Sequence, residues 1–170
     1  MWTNILLLVL GYFFLVFIAL RLIVPFMGFR RWAPPQTISP SIQQEANTLL
    51  AGHSDQASFL EAAYTAISTR WWAGRLQTLR YAPLAFRTNL EQIWNAPGYA
   101  HCNTQNYLLY TLLLASRLFS PADIRTRTVF LNFFIHQYLQ VRINGKWVDA
   151  DPAGATIRGL PLGTHISLFG

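Results

Sequence analysis

No charged residue interrupts the chain from Ile5 to Leu20, and after Arg21 the apolar run resumes through Leu22-Ile-Val-Pro-Phe-Met to Phe29. About 25 apolar residues suffice to span a bilayer with some tilt, and Arg21, near the end of the run, is placed to snorkel to the interface. No Lys or Arg precedes the run and no small-x-small cleavage site follows it. Residues 1–29 therefore read as a retained single-pass anchor rather than a signal peptide. Arg21, Arg30 and Arg31 all lie toward its C-terminal end, so the positive-inside rule puts the globular part in the cytoplasm. A free thiol suits that reducing compartment.

A short stiff linker, residues 30–40 with Ala33-Pro-Pro and Pro40, separates the anchor from a domain over residues 41–170. The pattern there has helical period first. Ser41 to Leu50 and Gln56 to Ser68 have helical spacing, the second with Ser58 and Glu61 placed as a capping box. Arg70 to Arg80 carries Trp71 and Trp72, which suit either the core or a membrane interface. Thr88 to Trp94 forms a short helix. A longer one runs from Cys102 through Tyr107 to Phe119, is buried nearly all round by its leucines, and is stopped by Ser120-Pro121. The period then shortens to two. Thr126 to Phe134 and Gln137 to Ile143 read as strands, Asn144-Gly145 as a hairpin turn, Lys146 to Ala150 as its return, and Thr164 to Phe169 as a closing strand. The order predicts an α+β fold with a helix packed on an antiparallel sheet. There is no internal repeat.

A two-residue turn fixes the register. Ile143 faces Lys146, Arg142 faces Trp147, Val141 faces Val148, Gln140 faces Asp149 and Tyr138 faces Asp151. Alternation puts Ile135, Leu139, Val141, Ile143, Val148 and Ala150 on a core face. The other face, with His136, Tyr138, Gln140, Arg142, Trp147, Asp149 and Asp151, is more polar. His136 and Asp151 fall on one diagonal, about 7 Å apart between backbones. Asp149 lies about 13 Å along the strand from His136.

Composition narrows the classes. The 170 residues allow one domain plus an appendage, and the 52% hydrophobic and 12% charged shares reflect the N-terminal run. The net charge of +6 comes from scattered arginines and one lysine, Lys146, with no nucleic-acid motif, so anionic headgroups are the expected attraction and nucleic acid is not. One cysteine and four scattered histidines offer no zinc spacing, and neither a metal nor another cofactor is expected.

The single cysteine, Cys102, stands between the turn signal Ala96-Pro97-Gly98 and a helix. Free amides and the positive end of the dipole favour thiolate there, the form that attacks a carbonyl, although an unpaired cysteine is more often a small core hydrophobe. His136 and Asp151 follow in order. A carboxylate beside an imidazole fixes its tautomer and steadies the imidazolium formed when a thiol loses its proton. Alternatively, the two form a surface cross-strand pair.

Three blocks carry a family resemblance: Gly98-Tyr-Ala-His-Cys102 with its helix, His136-Gln-Tyr-Leu-Gln-Val141, and Gly145-Lys-Trp147-Val-Asp-Ala-Asp151-Pro152. Over about Glu91 to Ala155 the chain resembles the transglutaminase-like superfamily, with its papain-like thiol fold. The resemblance implies that Cys102 is the nucleophile, His136 the general base and acid, and Asp151 the orienting carboxylate. The chain departs from the family in having His101 where glycine usually precedes the cysteine, and His136-Gln137-Tyr138 where the family often has His-Ala-Trp.

The leading expectation is a membrane-anchored enzyme that forms an acyl-enzyme from a protein or peptide carboxamide, with hydrolysis favoured over transamidation. The Cys102 amide is the first candidate for the oxyanion, ahead of Asn103 and Gln105, then Gln92 and Trp94. Two other classes compete. One is a catalytically silent transglutaminase-like binding module tethered to the membrane, and the other a structural membrane protein whose Cys102 is merely packed.

Overall fold

The computed structural model describes residues 2–27, 32–131 and 134–167. Phe29, Arg30, Arg31 and the end of the expected closing strand, Leu168 and Phe169, lie outside the described residues.

Trp2–Ile23 forms one continuous helix of 22 residues, α1, long and apolar enough to cross a membrane. At 1.5 Å per residue it measures about 33 Å, against about 30 Å of bilayer hydrocarbon. Its side chains stand mostly in the open, as with Leu7, Leu8, Phe14 and Leu22. Leu15–Ala19 forms a widened turn with i+5 hydrogen bonding. The helix is shorter than the apolar run. Val24 precedes Pro25 and is extended (φ −78°, ψ 122°), as the proline ring requires of the residue before it. The chain then folds back: Phe26 stacks on Tyr107 with centroids 3.8 Å apart, and Val24 and Met27 are buried in a cluster with Val16 and Ile135.

Beyond the linker, α2 (Pro40–Gly52) is capped by Ser39 and α3 (Gln56–Arg70) by Asp55. The expected capping box at Ser58 does not form. The Asp55 carboxylate accepts from the amides of both Ala57 and Ser58, and the Ser58 hydroxyl itself donates to it. Two-residue strands β1 (Trp71–Trp72) and β2 (Gly98–Tyr99) pair in parallel. Between them come α4 (Gln77–Arg80), a 3-10 turn over Ala82–Phe86, and α5 (Leu90–Asn95). Trp71 is core, tilted against Trp94 at 5.1 Å, and Trp72 is exposed.

The central element is α6 (Cys102–Ala115), with every residue from Asn103 to Leu113 buried. It ends earlier than Ser120-Pro121 because the Ser116 hydroxyl bonds back to Leu113 and Arg117 turns left-handed (φ 62°). Helices α2 and α3 pack on it through Ile42, Ala46, Phe59 and Leu60.

The sheet is antiparallel, in the order β3 (Ile124–Leu131), β4 (Phe134–Ile143), β5 (Lys146–Ala150). The expected strand from Thr126 to Phe134 is two arms of a hairpin, since Leu131 pairs with Phe134. Both arms read as one apolar run because the hairpin docks against an apolar helix. Phe17 of α1 stacks on Phe130 at 5.7 Å. The β4–β5 register is the one that Asn144-Gly145 predicts, with both turn residues left-handed (φ 49° and 80°). Asp151 then caps α7 (Pro152–Arg158), a helix that sequence pattern missed. Residues 164–167 make no strand.

On the core face Ile135, Leu139, Val141, Ile143 and Ala150 are buried as expected, and Val148 is half-buried. Leu139 is fully buried in the core cluster, so Leu139→Ala should cost about 2–5 kcal/mol. Arg142→Ala, at an exposed ion pair with Asp123, should cost no more than about 1 kcal/mol. Denaturant midpoints of the reconstituted protein compare the two.

Candidate functional site

The end of β5, the start of β4 and the start of α6 converge. His136 Nε2 lies 2.8 Å from Asp151 Oδ2, with the side chains 4% and 0% exposed. A surface cross-strand pair is therefore excluded. Asp151 stands one residue beyond β5, on the predicted diagonal. Its carboxylate is fully occupied: Oδ1 accepts from the Gly154 amide at 2.9 Å, and Oδ2 accepts from the Ile166 amide at 2.9 Å as well as from His136. The Tyr64 hydroxyl donates to its backbone carbonyl at 3.1 Å. With Nε2–H committed to Asp151, Nδ1 is the nitrogen left for the other ring partner, Cys102, whose side chain interacts with His136 and helps to raise its pKa. The structure thus brings Cys102, His136 and Asp151 together in that order.

Electrostatics follow from the geometry. Burial would lower the His136 pKa, but the hydrogen bond to Asp151 and then the contacts with Cys102 outweigh it and hold the ring up to about 10. A buried imidazolium needs an anionic partner on hand. Asp151 is that partner, and the side chain of Cys102 lies on the other side of the ring.

Asp149 is separate. Its Oδ2 pairs with His165 Nδ1 at 2.8 Å and its Oδ1 accepts from Gln140 at 2.7 Å. The His165 ring stacks on Tyr138 (4.2 Å, 4°), so Tyr138, expected on a polar face, is covered by the C-terminal segment.

Cys102 is half-buried at the first position of α6, and it opens on a cavity of about 260 Å³ together with His101, Tyr99, His136, Ala153 and Ile157. Merely packed it is not. No side chain caps α6, and the amides of its first turn have no carbonyl a turn earlier to bond. His101 does not reach across to the thiol. Its Nε2–H donates to the Tyr81 carbonyl at 2.9 Å, and burial lowers its pKa more than that bond raises it. The side-chain candidates for an oxyanion are spent or misplaced. Asn103 donates to the carbonyls of Pro25 (2.7 Å) and Ala85 (3.4 Å), and Gln105 to that of Ala100 (2.9 Å). Gln92 is exposed in another depression and Trp94 lies in the core. Among the described residues no group of His, Cys, Asp and Glu could hold a metal ion.

Sequence reasoning missed Gly154, Ile166, Tyr64 and His165. Only Gly154 had a local signal, lying three residues after Asp151 in a helix opened by Asp-Pro. Compared with protein-family models, curated proteins and solved structures, the chain matches none.

A Cβ on Gly154 would stand 2.5 Å from Asp151 Oδ2 and 2.8 Å from Cγ. Gly154→Ala should therefore displace a carboxylate that three donors hold, and His136 should lose part of its raised pKa, read as the midpoint of its ring ¹⁵N shifts. In the native chain that midpoint should lie well above the ordinary 6.5, with Asp151→Asn bringing it down. The sign for stability is that of a raised histidine. The contribution is fully present below about pH 6.5 and is lost as pH climbs through about 10. Melting temperature against pH, native against His136→Gln, checks it.

Proposed function

We propose that the chain is a membrane-anchored cysteine acyl-transfer enzyme of transglutaminase-like, papain-like type, acting on carboxamides and favouring hydrolysis over transamidation. One observation carries the reading: a buried His136 whose Nε2 is tied to Asp151 at 2.8 Å while its other side meets Cys102 at the uncapped start of a helix, facing a cavity. The helix Trp2–Ile23, by length and composition, is the anchor. The cytoplasm is the proposed side for the domain, from Arg21, Arg30 and Arg31.

The chemistry runs through these atoms. The Cys102 thiolate attacks the carboxamide carbon, and an Sγ–C bond forms as negative charge moves to the oxygen. The free amides at the start of α6 stabilise that charge, the Cys102 amide first. The C–N bond breaks, and the departing amine takes the proton from Nδ1 of the His136 imidazolium. Water then enters. Neutral Nδ1 removes its proton, a C–O bond forms, the Sγ–C bond breaks, and the acid leaves with the thiolate–imidazolium pair restored. Asp151 neither gains nor loses a proton; it holds the tautomer and offsets the charge on the ring. An amine in place of water would give transamidation.

Iodoacetamide labelling tests the nucleophile. Near neutral pH the alkylation rate of Cys102 should fall about tenfold or more in His136→Ala, because the imidazolium no longer holds the thiolate. A rate indifferent to His136 would sink the assignment and leave a silent binding module. Once a substrate is in hand, Asp151→Asn should cost about 10²-fold or more in acyl transfer. Asp149→Asn, whose carboxylate serves His165 and Gln140, should stay within about tenfold.

A further inference from the structure

The cavity beside Cys102 is apolar, and part of its wall belongs to the membrane-spanning helix and its exit: Leu20, Val24 and Met27. Across from these, Leu79 and Phe86 line it while standing 70% and 49% exposed, and neighbouring Leu76 is 88% exposed. Such a ridge, with Arg75, Arg80 and Arg87 along it, has the composition of a segment lying in the headgroup layer. This ridge and the end of α1 share one cavity with the thiol, so that with α1 in a bilayer Cys102 would open at the membrane surface. A second observation concerns charge. Arg75 also lines the cavity, and its Nε and Nη2 are buried with no hydrogen-bond partner among the described residues. Guanidinium nitrogens buried without an acceptor are costly, and an anionic ligand group would satisfy those two.

We propose that the substrate of Cys102 is a long-chain N-acyl amide whose amine part carries an anion, drawn from the bilayer. The hydrocarbon chain lies in the cavity, the carbonyl meets Sγ, and the anionic group meets Arg75. This deepens the acyl-transfer reading and rests on it. The bonds made and broken are those given above: Sγ–C forms, C–N breaks, and the amine leaves with the proton of His136. A water-soluble peptide would have little use for a cavity walled by the end of a membrane helix. Each methylene taken out of water is worth about fourfold in affinity, so a long chain concentrates the amide in the bilayer beside the cavity, and the cavity then accepts the chain at no hydrophobic cost.

The test is protection of Cys102 from iodoacetamide, with the full chain reconstituted in zwitterionic vesicles. N-dodecanoylglycine should slow alkylation about tenfold or more, and N-acetylglycine should not. Ala82→Trp and Ala85→Trp fill the cavity from two different points, and each should cut the protection to about twofold or less. Partition into the vesicles is the same for all variants, so it cancels. Arg75→Gln should erase the advantage of N-dodecanoylglycine over the uncharged N-dodecanoylethanolamine. Equal protection by the short and long amides, or undiminished protection in both tryptophan variants, would overturn the proposal. So would better protection by an apolar peptide amide. An advantage that survives Arg75→Gln would overturn the place given to the anion. Labelling without ligand is read separately. Loss of its dependence on His136 would strike the acyl-transfer reading, whereas failed protection with that dependence intact would strike only the substrate class.

Discussion

The Asp151 carboxylate holds four pieces of the chain in one place. It follows β5, caps α7 through Gly154, receives the amide of Ile166 from the C-terminal segment, and binds His136 of β4. Few of those contacts would survive without the others, because a fully buried carboxylate is tolerable only when its lone pairs are met. Tyr64 adds a tie to α3 through its hydroxyl, which bridges the carbonyls of Asp151 and Leu160. A residue fixed so firmly cannot follow the imidazole about, and so the ring must come to it. That is how the orientation of His136, and with it the approach to Cys102, is determined by the fold.

The second constraint is the join between the apolar helix and the domain. Asn103, next to Cys102, donates to the Pro25 carbonyl just past the helix, and Phe26 stacks on Tyr107 one turn further along α6. Arg21 reaches Thr128 on β3 at 3.4 Å. The helix that can cross a membrane is therefore packed into the architecture around the thiol, through Val24 and Met27 as well as these polar contacts. A change in its exit would be felt at the first turn of α6.

Two pairs of histidine and aspartate stand beside β5, and their burial separates them. His136 and Asp151 are enclosed, and their mutual bond sustains a charged ring. His165 and Asp149 are partly open, at 28% and 19% side-chain exposure, and there the ring serves by covering Tyr138. His101, adjacent to the thiol in sequence, is turned toward Tyr81. Closeness along the chain is a poor guide to closeness of ring and sulfur, since neighbouring side chains at a helix start diverge.

Local pattern determined much of this protein. The apolar helix, the positions of α2, α3 and α6, and above all the β4–β5 register were legible, because period and a two-residue Asn-Gly turn are short-range physics. That register alone separated Asp151 from Asp149. Pattern went astray where an apolar run had two possible uses. Thr126 to Phe134 turned out to be two arms against α1, and the run through Phe29 broke at Pro25 and folded back. Tertiary structure decided the rest: which amides hold Asp151, that Gly154 leaves room for it, that Asn103 and Gln105 are committed elsewhere, and that the thiol opens into a cavity shared with the end of the helix. Each depends on segments far apart in the chain meeting through side chains that have no fixed spacing, and a one-dimensional pattern carries no record of such meetings.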